Sequence, residues 1–585
     1  MSLTAGLYSA VAGISNASAR IATTSNNVTN ADNPGYTRKI YQAEYITNNT
    51  GTLPIDGTVV SAILNPYLQE ALIEDVSVSE RDNVISEYLS DYVRGLGTPD
   101  GEITLNGSMD RLAQAFETLL VTPENVGTKY TAIAEAQKVA SDLRNMSSNI
   151  QDLRRKTDIE ISQGVDAINA SVRRIDDLNK EISLSQSTGR STANFEDQRR
   201  EELETLAQYI NIDFFTNSQG QVNVYTSNGM PLLDSNPRAM TYSPTTFVTG
   251  ATVYPGGFDN IELNGLDITS TIRGGTIGGL IEMRDTILVE EQDKLNEFAR
   301  VLMNDINGVL NQGASFPSPS TITGDTPVVA ADPVGTGAIR VATTDASGQI
   351  QGFSDFNLGG FANIGALVAA INGTAGLNVN ASINADGNLV FSSTVAGEGV
   401  VVNDNTVAPA ASDVGPDNLG FMHYYGMNNL FTLENGAEDI LVSQDFLDNS
   451  DNLPVGRLSN DPALAVGDIG VPPGEGTIAD LVNNQFTTAT NFGAAGNFAS
   501  QTATLDQYTD LIMSNAATRA KEFTTQAATS LLSTDTTRNT LDNLSGVNID
   551  EELTYLIQIE EQYQAAATMI SRIQELFDEL LAAVR

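Results

Sequence analysis

A chain of 585 residues is too long for one ordinary hydrophobic core, so several domains are expected. It has no cysteine, which excludes disulfides, zinc–thiolate sites, iron–sulfur clusters and thiol nucleophiles. The formal net charge of −43, from 30 Lys and Arg against 73 Asp and Glu, gives a surface that repels nucleic acid and anionic lipid, so neither is an expected partner.

The first residues step by four and three through Leu3, Leu7, Ala10, Ile14, Ala17, Ile21, Thr24 and Val28. That spacing predicts a helix with one seam for a partner helix, and its small residues allow close approach. Asn33, Pro34, Gly35 and Tyr36 follow as a type II turn signal, with proline fixing φ and glycine taking positive φ. Residues 39–46 alternate like a strand, and the Asn- and Gly-punctuated stretch after them reads as loop. Pro66 opens a helix to about residue 94. The next helix carries Leu112, Phe116 and Leu119, with Asn106 or Ser108 as the expected N-cap.

Residues 128–187 form the longest helical pattern, with a stripe that includes Ile133, Ala140, Ile150, Leu153, Ile161, Val165, Ile168 and Ile175. A second helix, 195–210, contains Asp197-Gln198-Arg199-Arg200. Short strands are expected at 212–215, 222–225 and 231–233. The glycine cluster 274–279 precedes a strong helix, 280–312. No Gly-Lys-Ser/Thr follows the glycines, so they read as a close backbone approach, not a phosphate loop. Residues 315–326, rich in Ser, Thr and Pro, read as a linker into a small α+β insert, with strands at 338–343 and 387–392 and a helix at 364–371. Residues 430–447 return to the body, and helix resumes over 503–544.

The last stretch steps without a break through Leu556, Ile559, Tyr563, Ala566, Ile570, Ile573, Phe577, Leu580 and Val584. This is the a/d seam of a coiled coil, and it needs a partner. Asn548 is the expected N-cap, with Glu551 placed as in a capping box. The helix at the other end of the chain is the expected partner. The fold class that follows is multi-domain and mainly α, with long helices, a terminal coiled coil, β-rich segments and an inserted α+β domain. The expected domains are 1–60 with 541–585 as the terminal coil, 61–314 with 424–540 as the body, and 315–423 as an acidic insert.

Two stretches carry a family resemblance. Ser25-Asn26-Asn27-Val28-Thr29-Asn30-Ala31-Asp32-Asn33-Pro34-Gly35-Tyr36-Thr37-Arg38 resembles the N-terminal signature shared by flagellar rod, hook and hook-associated proteins. Ser545-Gly546-Val547-Asn548-Ile549-Asp550-Glu551-Glu552, followed by Tyr563, Ala565 and Ala567, resembles the C-terminal signature of the hook-associated protein 1 family. The Asp197-Gln198-Arg199 segment is similar to one typical of that family. Asn33, the Glu560-Glu561 pair and Thr568 depart from the pattern. The resemblance implies a structural subunit at the hook–filament junction, outside the cell, exported by the flagellar type III apparatus without a cleaved signal peptide. It also implies the partners: hook protein, a second junction protein, further copies of the chain in a ring or tube, and an export chaperone at the C-terminal helix. Another axial protein (hook or distal rod), or a surface-binding protein on an axial scaffold, is the alternative.

No catalytic, cofactor-binding or metal-binding residue is assigned. The single histidine, His423, has no Gly-x-Ser-x-Gly elbow to serve, and its place beside a domain junction suits packing. The acids at 445–451 do not have the spacing of an EF-hand loop. There is no tryptophan to stack a sugar between a carboxylate pair. No apolar run is long enough to span a bilayer, and no basic n-region with an apolar h-region marks a Sec-type signal.

Overall fold

The computed structural model describes residues 3–33, 35–48, 51–61, 65–97, 104–404 and 419–584. Pro34 of the expected turn and residues 405–418 of the expected insert lie outside them. Helix α1 spans Leu3–Thr29 and leads into an antiparallel hairpin, β1 Lys39–Asn48 with β2 Gly51–Ser61. The second strand was expected as loop. Its Val59-Val60 alternate in register with Tyr41 and Ile40, and this outweighs the Pro54 and Gly57 punctuation.

The body is built on α4, Val126–Ser187. Its 62 residues span about 93 Å at 1.5 Å per residue. The helices α2 Pro66–Leu96, α3 Leu105–Val121 and α5 Ala193–Tyr209 pack along it. Asn65 caps α2 and Asn125 caps α4. Thr104, not Asn106 or Ser108, caps α3, its hydroxyl accepting from the Gly107 amide at 3.2 Å. Two small antiparallel sheets follow: β3 Ile212–Thr216, β4 Val222–Thr226 and β5 Pro231–Leu233, then β6 Met240–Thr241, β7 Glu262–Leu263 and β8 Leu266–Asp267.

The glycine cluster lies inside a helix, not before one. Helix α6 runs over Gly275–Glu282 and continues through a π-turn, Met283–Ile287, into α7, Leu288–Leu310. The reason is contact. A Cβ on Gly279 would lie 2.8 Å from the Arg81 carbonyl oxygen of α2, and one on Gly275 would lie 2.3 Å from the Tyr209 carbonyl carbon of α5.

The insert has a core of its own, including Val341, Phe356, Leu367, Phe391 and Val402. One sheet orders β11 Ile350–Asn357, β10 Ala338–Thr344 and β14 Gly399–Asp404. The other orders β12 Val379–Ile383, β13 Asn388–Ser393 and β9 Thr321–Pro327, with α8, Ile364–Gly373, packed on β12. Strand β9 falls where the sequence reads as linker. Its alternation puts Ile322 inside, opposite Phe391, and β-branched pairing overrides the Ser and Pro content around it. Leu458, Leu464 and Val471 cover the other face of Ala342, Ile350 and Val401.

The chain returns through α9 Phe421–Tyr424, the pair β15 Phe431–Thr432 and β16 Leu441–Val442, α10 Gln444–Asp448, α11 Thr477–Thr487, and the pair β17 Thr490–Phe492 and β18 Gln501–Ala503. Then α12, Leu505–Ser545, lies along α2, and α13, Ile549–Val584, ends the fold. Thr504 and Gln507 make a reciprocal capping box at α12.

His423 packs against Gly308 of α7 in a cavity of about 690 Å3 where body and insert meet. Burial lowers its imidazole pKa below the usual value. The folded chain therefore resists a proton that the unfolded chain accepts near pH 6.5, and stability is lost as pH falls through that value toward the depressed one. His423→Gln is expected to flatten the fall in melting temperature between pH 7.5 and 5.5. An unchanged slope, measured by calorimetry, would place the titration elsewhere.

Candidate functional site

The two chain ends meet as an antiparallel helix pair. The register is fixed by contacts one heptad apart along α1. Gly6 faces Ile573, where a Cβ on the glycine would lie 3.4 Å from Cδ1. Gly13 faces Ala566, with the same construction giving 3.6 Å to Cβ. Arg20 donates to Gln562 Oε1 at 3.3 Å and to the Tyr555 hydroxyl, on either side of Ile559. Asn27 Nδ2 donates to Glu552 Oε2 at 3.0 Å.

The expected seam residues fall into three groups. Ile559 and Ile573 are buried, as are Ala10 and Ala17 of α1. Leu3, Leu7, Ile14, Ile21, Val28, Leu556, Ala566, Ile570 and Phe577 are half-buried. Tyr563 and Leu580 remain 38% and 53% exposed. Val584 ends α13, and its side chain is outside the described residues. Two helices cover one column of a seam and leave the flanking column half open, so the pair still has apolar surface to bury. Tyr8, Val11, Ile557, Met569 and Leu581 are exposed on its outer sides.

At the foot of this pair the two signatures and the Asp197 segment lock together. Asn548 caps α13, accepting from the Asp550 and Glu551 amides at 3.1 and 3.3 Å. That start aims Glu552 inward, where it is 1% exposed and pairs with Arg38 Nε at 2.6 Å. Asn27 uses its whole amide. Its Nδ2 also donates to the Lys39 carbonyl at 2.9 Å. Its Oδ1 accepts from the Lys39 amide at 2.9 Å and from the Tyr36 hydroxyl at 3.0 Å. The Arg38 amide donates to the Ser545 carbonyl at 2.8 Å.

The body grips the same turn through α5. Asp197 accepts from the Thr37 hydroxyl at 2.6 Å and pairs with Lys39, whose ammonium also donates to the Ala193 carbonyl at 3.0 Å. Arg200 donates to the Gly35 carbonyl. Gly35 has φ of +75°, the value that the turn signal requires, and Asn33 and Tyr36 flank it with an amide-to-carbonyl bond of 3.2 Å. Burial pushes the Tyr36 phenol up to about 12, and the negative charges of Asp197 and Glu552 push the same way. Burial lowers the Lys39 ammonium, against the pull of Asp197. The site is therefore a polar lock, with no group poised for proton transfer.

The sequence reading missed this lock, although a signal was present. Glu552 sits one heptad before Ile559, so a carboxylate occupies an apolar column, which demands a buried partner. Replacing Glu552 with Gln removes the charge from a charge-assisted bond worth about 1.5–3 kcal/mol. Trypsin cleavage after Arg38 or Lys39 in the full chain is expected to speed up at least tenfold, since about 1.4 kcal/mol is a tenfold change in local opening. Cleavage at the wild-type rate would show that the lock does not restrain the turn.

Family matches fall in the body, the insert and the C-terminal helix. Residues 97–320 match the family described as flagellar hook-associated protein FlgK helical domain. Residues 542–583 match the flagellar basal body rod FlgEFG protein C-terminal family, and residues 342–395 the flagellin hook IN motif. Flagellar hook-associated protein 1 of Escherichia coli strain K12 is 24% identical, over 98% of this chain and 99% of its own length. The Salmonella typhimurium protein of that name is 23% identical over 52% of this chain and 56% of its own. The solved structure of the flagellar hook junction protein FlgK from Burkholderia pseudomallei shares the fold, with a TM-score of 0.51 at 13% identity, over 81% of this chain and all of that one. With these matches, the chain is similar over nearly its whole length to flagellar hook-associated protein 1.

Proposed function

We propose that this chain joins hook to filament by packing the half-open seams of α1 and α13 against those of neighbouring copies. The observation that carries this reading is the antiparallel pairing of the two chain ends, with apolar surface left over on both helices. Each large apolar side chain buried on assembly contributes about 1.5–3 kcal/mol. The hook protein is the partner below, the second junction protein the partner above, and further copies the partners at the sides. Before secretion by the flagellar type III apparatus, an export chaperone covers the exposed apolar face of α13.

The mechanism is mechanical. The terminal coil seats in the tube, and the lock at Glu552, Arg38, Lys39 and Asp197 transmits load to the long α4 of the body. The insert has its own core, so its contacts can change without disturbing the seam. The three units are the terminal coil (1–60 with 541–585), the body (61–314 with 424–540) and the insert (315–423). A strain lacking the chain is expected to carry hooks without filaments and to shed flagellin, as seen by electron microscopy. Normal filaments on such hooks would overturn the reading.

A further inference from the structure

Two charged features of the terminal coil have no partner of opposite sign among the described residues, and they complement each other. The first is a cavity of about 190 Å3 walled by Arg20, Arg38, Lys39, Tyr41, Glu552 and Tyr555. Arg20, Arg38 and Lys39 are all the Lys and Arg residues of positions 1–60. Glu552 answers Arg38, and Asp197 answers Lys39. No carboxylate among the described residues answers Arg20. Its guanidinium donates to Gln562 Oε1 at 3.3 Å and to the Tyr555 hydroxyl, and it lies 5.0 Å from the Tyr555 ring centroid. Its Nε is buried with no acceptor. In a chain with 73 acids against 30 bases, a half-buried guanidinium facing a cavity whose carboxylate, Glu552, already serves Arg38 is out of pattern.

The second feature is Glu561, one of the acid pair that departs from the family signature. It is exposed and has no cation partner among the described residues. Ile559 faces α1, and two further residues turn the helix by about 200°. Glu561 therefore points away from the Arg20 of its own chain. A helix pair with a cationic cavity on one side and a lone carboxylate on the other is suited to a head-to-tail contact between identical copies, which repeats around a ring or tube.

We infer that the cavity is a socket for the Glu561 carboxylate of a neighbouring copy, held by the Arg20 guanidinium. Arginine suits the task because its planar fork can take both oxygens of a carboxylate, and the cavity shields the pair from salt. Carboxylates of the hook protein or the second junction protein are the competing occupants. The inference rests on the reading that copies pack side by side through their terminal helices.

The absence of cysteine makes the test clean. The full chain carrying both Arg20→Cys and Glu561→Cys, expressed in the deletion strain and treated on isolated flagella with a short bis-maleimide, which spans more than the ~7 Å between Cα atoms that a disulfide tolerates, is expected to give a ladder of cross-linked multimers. Each single cysteine variant is expected to stay monomeric on the same gel. Separately, Arg20→Glu and Glu561→Arg should each lower the number of filament-bearing hooks at least tenfold, and their combination should restore it. Absence of the ladder, or a combination no better than the worse single variant, overturns the socket. Neither outcome touches the junction reading, which stands or falls on whether the wild-type chain restores filaments in that strain.

Discussion

Ile559→Asp is expected to abolish filament attachment while leaving the melting temperature of the body within about 1 °C of wild type. Ile559 is fully buried between α1 and α13, at the middle of their shared register. The cation nearest a carboxylate there is Arg20, and pairing with it would pull the guanidinium away from Tyr555, Gln562 and the cavity it faces. Burying an unpaired charge costs several kcal/mol, more than a helix pair with many small residues can offset. The pair should open instead. The body should not notice, because Ile559, Ile573, Ala10 and Ala17 all lie outside its continuous core. Ile570→Asp, at a half-buried position, should disturb the helix pair of the free chain less but impair assembly equally once copies pack. Glu575→Lys, on the exposed side beside Arg572, serves as the control and should attach filaments almost normally. Electron microscopy of flagella and calorimetry of the purified chain decide the matter. A variant that supports filaments, or one whose body melts many degrees lower, would place Ile559 in a different role.

The seam was legible because periodicity is local. The steps from Leu556 to Val584 and from Leu3 to Val28 can be read without knowing what they face. The long helix α4 was legible for the same reason, and its observed bounds differ from the expected 128–187 by two residues at the start. What the sequence hid depends on pairing across distance. Strands β2 and β9 look like loop until Tyr41 and Phe391 supply their partners. Glycines 275–279 look like a helix boundary until the backbones of α2 and α5 come against them. The lock at Asn27, Arg38, Asp197 and Glu552 joins residues from both ends and from α5, so no window of sequence contains it. For the buried ion pairs, a charge on an apolar stripe was the available warning. Glu552 breaks the column of α13, and Arg154 with Asp158 fill the gap in the α4 stripe between Leu153 and Ile161.

That gap in α4 is where the largest loss of body stability is expected. Asp158→Ala should destabilise the body by about 3–5 kcal/mol, the range for breaking a buried ion pair from one side. Asp158 and Arg284 are both fully buried, with 2.8 Å between Oδ1 and the guanidinium. The carboxylate also accepts from the Tyr242 hydroxyl and, at 2.6 Å, from the Thr245 amide. Removing it leaves two donors without an acceptor and takes one of two carboxylates from Arg284. Asp285, at 2.8 Å, remains, and the guanidinium keeps its place 4.2 Å above the Phe258 ring, so the site should weaken without collapsing. The expected fall in melting temperature is on the order of 5–15 °C. Asp152→Ala tests the opposite case on the same helix. Its pair with Arg155 is at least half exposed on both sides, and such pairs are worth about 0–1 kcal/mol. If Asp158→Ala and Asp152→Ala shift the melting temperature equally, the buried cluster does not hold α4 to the π-turn between α6 and α7. A large shift at Asp158 with filaments still attached at 25 °C would separate the two tasks of the chain, stability in the body and assembly in the seam.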